Sequence, residues 1–159
     1  MAIVAAIVEH KPGVLQRVAG LFTRRGFNIE EISVGVTENV KLARMTIVTK
    51  GNEAETEQIV KQLNKLVEVV KVSVIDEKSS VSRILCLIKV HTSTKEAKSE
   101  FIQYVNVFRG RIVDVSKDTL TAEITGDRDK IDAFINLARG FGIKEIAQTG
   151  TTAMKREGI

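Results

Sequence analysis

Cysteine, proline, histidine and aromatic residues are scarce in this chain. Its 159 residues hold one cysteine, one proline, two histidines, one tyrosine and no tryptophan, with aromatics at 4%. A lone thiol, Cys86, excludes an internal disulfide and fits a reducing cytoplasm. No Cys/His spacing suits zinc, so no metal site is expected. No apolar run approaches the roughly 20 residues of a membrane span. Met1-Ala2-Ile3-Val4 carries no basic leader or cleavage site and reads as a first strand instead of a secretory signal. No G-x-x-x-x-G-K-[ST] loop or G-x-G-x-x-G fingerprint occurs; Gly140-x-Gly142 lacks the third glycine and follows a helix. No Ser-His-Asp or Cys-His pair can be argued from spacing. His91 reads as an exposed strand-end residue, and Cys86, alternating with Ile84 and Ile88, as a small core residue. No catalytic residue is expected, and this poverty favours binding over catalysis.

Nucleic acid is excluded by the same scarcity. A sheet that reads single-stranded RNA stacks bases on strand aromatics. Here Phe22, Phe101, Tyr104, Phe108 and Phe134 sit on helices or helix ends, and Arg44-Met45-Thr46-Ile47-Val48 has none. No helix-turn-helix segment accompanies them. The net charge of +4 is spread along the chain and makes no basic patch.

What is present is a globular composition, 43% hydrophobic and 28% charged, and a repeated order of elements. Residues 2–8 are apolar and β-rich, as in a strand buried on both faces. Val14, Val18, Leu21 and Phe22 then share one helical face, opposite Gln16, Arg17, Thr23 and Arg24. Gly20 interrupts this helix, which suggests close packing on a sheet, and Gly26 ends it. Strands follow over 27–36 and 42–49. Asn52 with Glu55 caps a helix carrying Ile59, Val60, Leu63, Leu66 and Val67, and a fourth strand spans 69–75. The order β-α-β-β-α-β is ferredoxin-like.

The polar stretch Asp76-Glu77-Lys78-Ser79-Ser80 is the expected boundary, giving domains 1–76 and 77–159. The order then repeats. A strand runs over 83–90. A helix with a Ser93-x-x-Glu96 capping box carries Ala97, Phe101, Tyr104, Val105 and Phe108. A hairpin spans 111–124, a helix opens at Asp127, and a last strand covers 144–149. The fold class is α+β, two ferredoxin-like domains in tandem. Such small domains have thin cores and gain by extending a sheet into a partner, so a homodimer is expected. Residues 151–159 are expected to be loose.

The binding candidate is the turn Glu9-His10-Lys11-Pro12-Gly13-Val14-Leu15. A strand passing through Pro-Gly into a helix leaves several N–H groups unpaired at the positive end of the helix dipole, where a small carboxylate can sit. Gly13 has no side chain to hold a ligand off the backbone. Asn28, placed at the start of the next strand, can donate and accept.

Val8-Glu9-His10-Lys11-Pro12-Gly13-Val14-Leu15, with Gly26-Phe27-Asn28-Ile29 behind it, resembles an ACT domain, a small amino-acid-sensing module. More narrowly, the chain resembles the regulatory (small) subunits of acetolactate synthase, also called acetohydroxyacid synthase. That likeness is carried further by Arg44-Met45-Thr46-Ile47, by Gln62 to Val69, by Phe108 to Val115, by Lys130 to Phe134, and by Phe141 to Ile146 with Thr149-Gly150. It covers nearly the whole length.

The resemblance implies a non-catalytic subunit of branched-chain amino acid (valine, leucine, isoleucine) biosynthesis. Such a subunit raises the activity of a large catalytic subunit and confers feedback inhibition by valine or a related amino acid. Thiamine diphosphate, magnesium and FAD would belong to the large subunit, and no cofactor to this chain. By the same resemblance the effector lies between two ACT domains of a side-by-side dimer. His10, Pro12, Gly13, Val14, Asn28, Ile29 and Ile32 would form its site. Gly13 and Val14 would offer N–H groups to the carboxylate, Asn28 would take the ammonium or carboxylate, and Val14 and Ile32 would receive the isopropyl group. The first domain would bind effector and dimerise, and the second would contact the catalytic subunit. Two positions depart from the family. His10 stands in place of an amide, and Gln148 stands where an arginine is expected. The alternative from a different class is a stand-alone ACT-type regulator of another metabolic enzyme.

Overall fold

The structure, a computed structural model, describes residues 1–157. The chain divides into two units, Met1–Ser82 together with residues from Gly150 onward, and Arg83–Thr149.

Unit 1 begins with β1 (Ala2–Glu9), α1 (Val14–Arg25), β2 (Glu31–Val36), β3 (Leu42–Thr49), α2 (Glu53–Leu63) and β4 (Val69–Ile75). The strands pair antiparallel in the order β2-β3-β1-β4. Val4, Ala6 and Val8 of β1 point to the helices and bury with Val14, Val18, Leu21, Phe22, Met45, Ile47, Ile59 and Leu63. The capping box of α2 forms as expected: Glu55 N–H donates to Asn52 Oδ1 at 2.9 Å, and Asn52 N–H to Glu55 Oε2 at 2.8 Å. The helix stops at Leu63, so Leu66 packs from the following turn and Val67 is exposed. No sheet atom would meet a side chain at Gly20; a Cβ there would meet only the Arg24 guanidinium, at 3.3 Å.

Unit 2 contains most of β5 (Ser80–His91), then α3 (Lys95–Val107), β6 (Arg111–Val115), β7 (Thr119–Gly126), α4 (Arg128–Ala138) and β8 (Ile143–Gln148). Its strand order, β6-β7-β5-β8, is the same permutation as in unit 1. The tandem α+β, ferredoxin-like architecture therefore holds. Ile84, Cys86, Ile88 and Val90 alternate inward onto Phe101, Val105, Ile131 and Phe134. Cys86 is a core residue there, and burial pushes its thiol pKa up. The α3 cap is Thr94, not Ser93. Its hydroxyl accepts from Ala97 N–H at 3.1 Å, one residue later than the expected box.

Two further features differ from the sequence reading. The compact units meet after Ser82, inside β5, which begins at Ser80, whereas the polar stretch in the sequence ends one domain at residue 76. Of the C-terminal segment 151–159, expected to be loose, Thr152–Lys155 forms β9 in unit 1, and residues 158 and 159 lie outside the described residues. Ile3, Ala5, Val48 and Ile75 project from the sheet face opposite the helices, and Ala153 closes over them at 3% exposure. β9 pairs with β5, and Arg156 N–H donates to Ser79 O at 2.9 Å. The second apolar face of β1 is thus covered by the chain's own end.

Candidate functional site

The mouth of α1 is set by three neighbouring strands. Glu9 N–H donates to Glu68 O and His10 N–H to Lys41 O, both at 2.8 Å, so the end of β1 is pinned from both sides. The chain turns through Lys11 and Pro12 into Gly13, the N-cap residue, at φ 88° and ψ −14°. This left-handed conformation is costly for any residue with a Cβ. No side chain caps α1, and its first turn contains no acidic residue. By contrast α2, α3 and α4 are capped by Asn52, Thr94 and Asp127. The first N–H groups of α1 are therefore open to an outside acceptor at the positive end of the helix. Arg17 adds a cation: a Cβ on Gly13 would lie 4.0 Å from its Nη2, while its Nη1 pairs with Glu68.

The other expected residues are placed differently. Val14 is in the core at 3% exposure, so its side chain packs inward instead of lining the mouth. Ile29 and Ile32 are half-buried and pack on the same cluster. Asn28 and Ile29 lie in a loop, because β2 starts at Glu31. Asn28 Nδ2 donates to Glu30 Oε1 at 2.7 Å, a local bond that competes with the strand ladder. That bond, with Lys50 at 3.4 Å beyond it, holds the Glu30 carboxyl below its ordinary range against some desolvation. The amide donor of Asn28 is thus engaged, and Oδ1 remains as its acceptor.

Within one chain these residues do not converge. Gly13 and Asn28 flank opposite ends of α1, whose 12 residues span about 18 Å. The strands agree. His10 bonds to Lys41 before β3, and Glu30 bonds to Val48 near its end, roughly 23 Å apart along the strand. A free amino acid cannot bridge that distance.

Both halves match models of one family. Residues 4–71 match the acetohydroxyacid synthase small subunit-like ACT domain, and residues 83–157 match the small subunit of acetolactate synthase. The probable acetolactate synthase small subunit of Methanothermobacter thermautotrophicus is 62% identical over 97% of this chain and 92% of its own length. The acetolactate synthase small subunit of Mycobacterium bovis is 49% identical over 96% and 90%. The chain belongs to the acetolactate synthase small-subunit family. The crystal structure of the acetolactate synthase small subunit from Thermotoga maritima covers 99% of this chain and 98% of its own with a TM-score of 0.92 at 48% identity.

As a member of the acetolactate synthase small-subunit family, the chain is a regulatory subunit with an ACT domain, of a branched-chain amino acid biosynthetic enzyme. Among the described residues no cluster of three His, Cys, Asp or Glu is placed to hold a metal ion, and no helix is long and apolar enough to cross a membrane. The sequence reading missed Arg17, assigning it only to a solvent face. Its signal was the i, i+4 spacing from Gly13, which puts it over the mouth of its own helix.

Proposed function

We propose that this chain dimerises through its ACT units and binds a branched-chain amino acid, with valine foremost, at the seam. On this reading it regulates a large acetolactate synthase subunit, raising that subunit's activity and conferring feedback inhibition. Thiamine diphosphate, magnesium and FAD would be held by the large subunit, and both proteins would work in the cytoplasm. The second unit would meet the catalytic subunit. The carrying observation is the separation of Gly13 from Asn28 along α1. The effector site is complete only if one protomer supplies the α1 mouth and its partner supplies Asn28. A two-fold dimer pairing the open β2 edges antiparallel does this, because it brings the Gly13 end of one sheet beside the Asn28 end of the other. β2 has only β3 beside it in its own chain, and its outer residues Val34 and Val36 are 47% and 60% exposed. At the mouth, the N–H groups of α1 and Arg17 receive the carboxylate. Oδ1 of the partner's Asn28 accepts from the ammonium, while Ile29 and Ile32 border the side chain. Pro12 stiffens the turn. A ring nitrogen of His10 is available to accept from the ammonium.

Mixing two defective chains tests the arrangement. Gly13→Asp and Asn28→Ala homodimers should each lose valine inhibition of the reconstituted enzyme. In a mixed dimer one site pairs the intact Gly13 with the intact Asn28, so up to half the sites should return. Failure of the mixture to recover any inhibition would place both residues in a single-chain site or in none. Acetolactate formation by the chain alone, or no stimulation of its cognate large subunit, would reject the regulatory role.

A further inference from the structure

The C-terminal strand does more than cover an apolar face: it grips the edge strand on which the proposed effector site depends. Thr151, 7% exposed, donates its N–H at 2.9 Å and its hydroxyl at 2.6 Å to the same Glu31 carboxylate oxygen, at the first residue of β2. Gly150 lies against the next residue. A Cβ there would stand 2.4 Å from Ile32 O and 2.7 Å from its carbonyl carbon, so no larger residue fits without moving β2. One strand further in, Arg44 Nη2 donates to Ala153 O at 2.6 Å. Arg156 Nε donates to Ser80 O at 3.2 Å and fixes the far end.

An edge strand bonded on one side opens more readily than a central one. β2 is such a strand within this chain, and Asn28, Ile29 and Ile32 lie on it or lead into it. We propose that Gly150–Arg156 is a strap that positions β2, so that effector binding, and with it feedback inhibition, requires the strap. The proposal deepens the regulatory reading and rests on it for the identity of the site. The strap is also where the chain re-enters unit 1 from unit 2, directly after Thr149.

The test compares Thr151→Val with Thr152→Val in the full-length chain. Thr151→Val keeps the side-chain shape and removes the hydroxyl bond to a carboxylate. Thr152→Val makes the same chemical change at the next, exposed residue, the first of β9. Amide hydrogen exchange of residues 31–36 is read without ligand, and valine affinity is read by calorimetry. Thr151→Val should speed β2 exchange about ten-fold to one hundred-fold and weaken valine several-fold, and Thr152→Val should do neither. Gly150→Ala, which forces β2 itself to shift, should weaken valine further. Equal behaviour of the two threonine variants would overturn the strap. So would faster β2 exchange with native valine affinity. If the native chain bound no branched-chain amino acid, the regulatory reading would fall, while the exchange comparison would still decide whether the strap holds β2.

Discussion

Gly13→Asp separates the stability role of the α1 mouth from its binding role. Gly13 sits at φ 88° with open space beside it, the nearest atom to a built Cβ being Arg17 Nη2 at 4.0 Å. An L side chain there costs about 1–2 kcal/mol of backbone strain. An aspartate at an N-cap regains about 1 kcal/mol by accepting from the first-turn N–H groups. The net change in stability should be within about 1 kcal/mol, a few degrees of melting temperature for a unit of this size. Binding should suffer more. The new carboxylate occupies the amides that the effector's carboxylate needs and repels it at about 4 Å, worth about 1 kcal/mol in water and about 4 kcal/mol at a partly buried site. Taking an intermediate value of about 2 kcal/mol, valine affinity falls roughly 30-fold. Gly13→Ala is the control: it carries the strain without the charge and without the cap, so it should melt lower yet bind valine near-normally. Calorimetric titration of all three proteins, beside thermal melts, reads both quantities. Native valine affinity in Gly13→Asp would refute the placement of the carboxylate. An equal loss in Gly13→Ala would assign the effect to strain alone.

Two other outcomes follow from the local chemistry. Gly20→Ala should stabilise α1 by up to about 1 kcal/mol, read as a rise in melting temperature, since only the flexible Arg24 side chain must move. Tyr104 donates to Glu100 Oε1 at 3.0 Å, and that bond, with the carboxylate charge behind it, raises the phenol pKa above its usual value. As the only tyrosine in a chain without tryptophan, it can be titrated by absorbance. Glu100→Gln should bring its midpoint down. Because the folded pKa is raised, the stabilisation is fully present below the unfolded value of about 10 and is lost as pH rises through the folded value, so only alkaline stability is affected.

The element order and both sheets were legible because each strand declares its inner face by alternation and each helix its face by three-to-four spacing. β1 also declared something that the rest of the sequence left unanswered. Its uninterrupted apolar run predicts two covered faces, but the α1 and α2 faces account for only one. The missing cover was Ala153, on a segment whose short stretch Thr151-Thr152-Ala153-Met154 alternates too briefly to read as a strand. Its docking depends on bonds to Glu31 and Arg44, over a hundred residues away, which local pattern cannot supply. The distribution of the site residues was hidden for a related reason. His10, Gly13, Asn28 and Ile32 are close in sequence, yet a helix lies between them and carries the pairs apart.

The two units differ in what each offers to the proposed effector. They share one strand permutation, so topology does not distinguish them. The difference lies at the strand-to-helix turn. In unit 1 that turn ends in a glycine and leaves the amides of α1 without a side-chain acceptor. In unit 2 Thr94 fills the same place, and its hydroxyl already takes the Ala97 N–H. Removing that cap should therefore be a stability event and nothing else. Thr94→Ala should cost about 1 kcal/mol, lowering the melting temperature while leaving valine affinity and the inhibition curve of the reconstituted enzyme at their native values. A shift in effector affinity from Thr94→Ala would mean that the second turn also takes part in sensing, and would contradict an effector site built from the first turn and its partner alone.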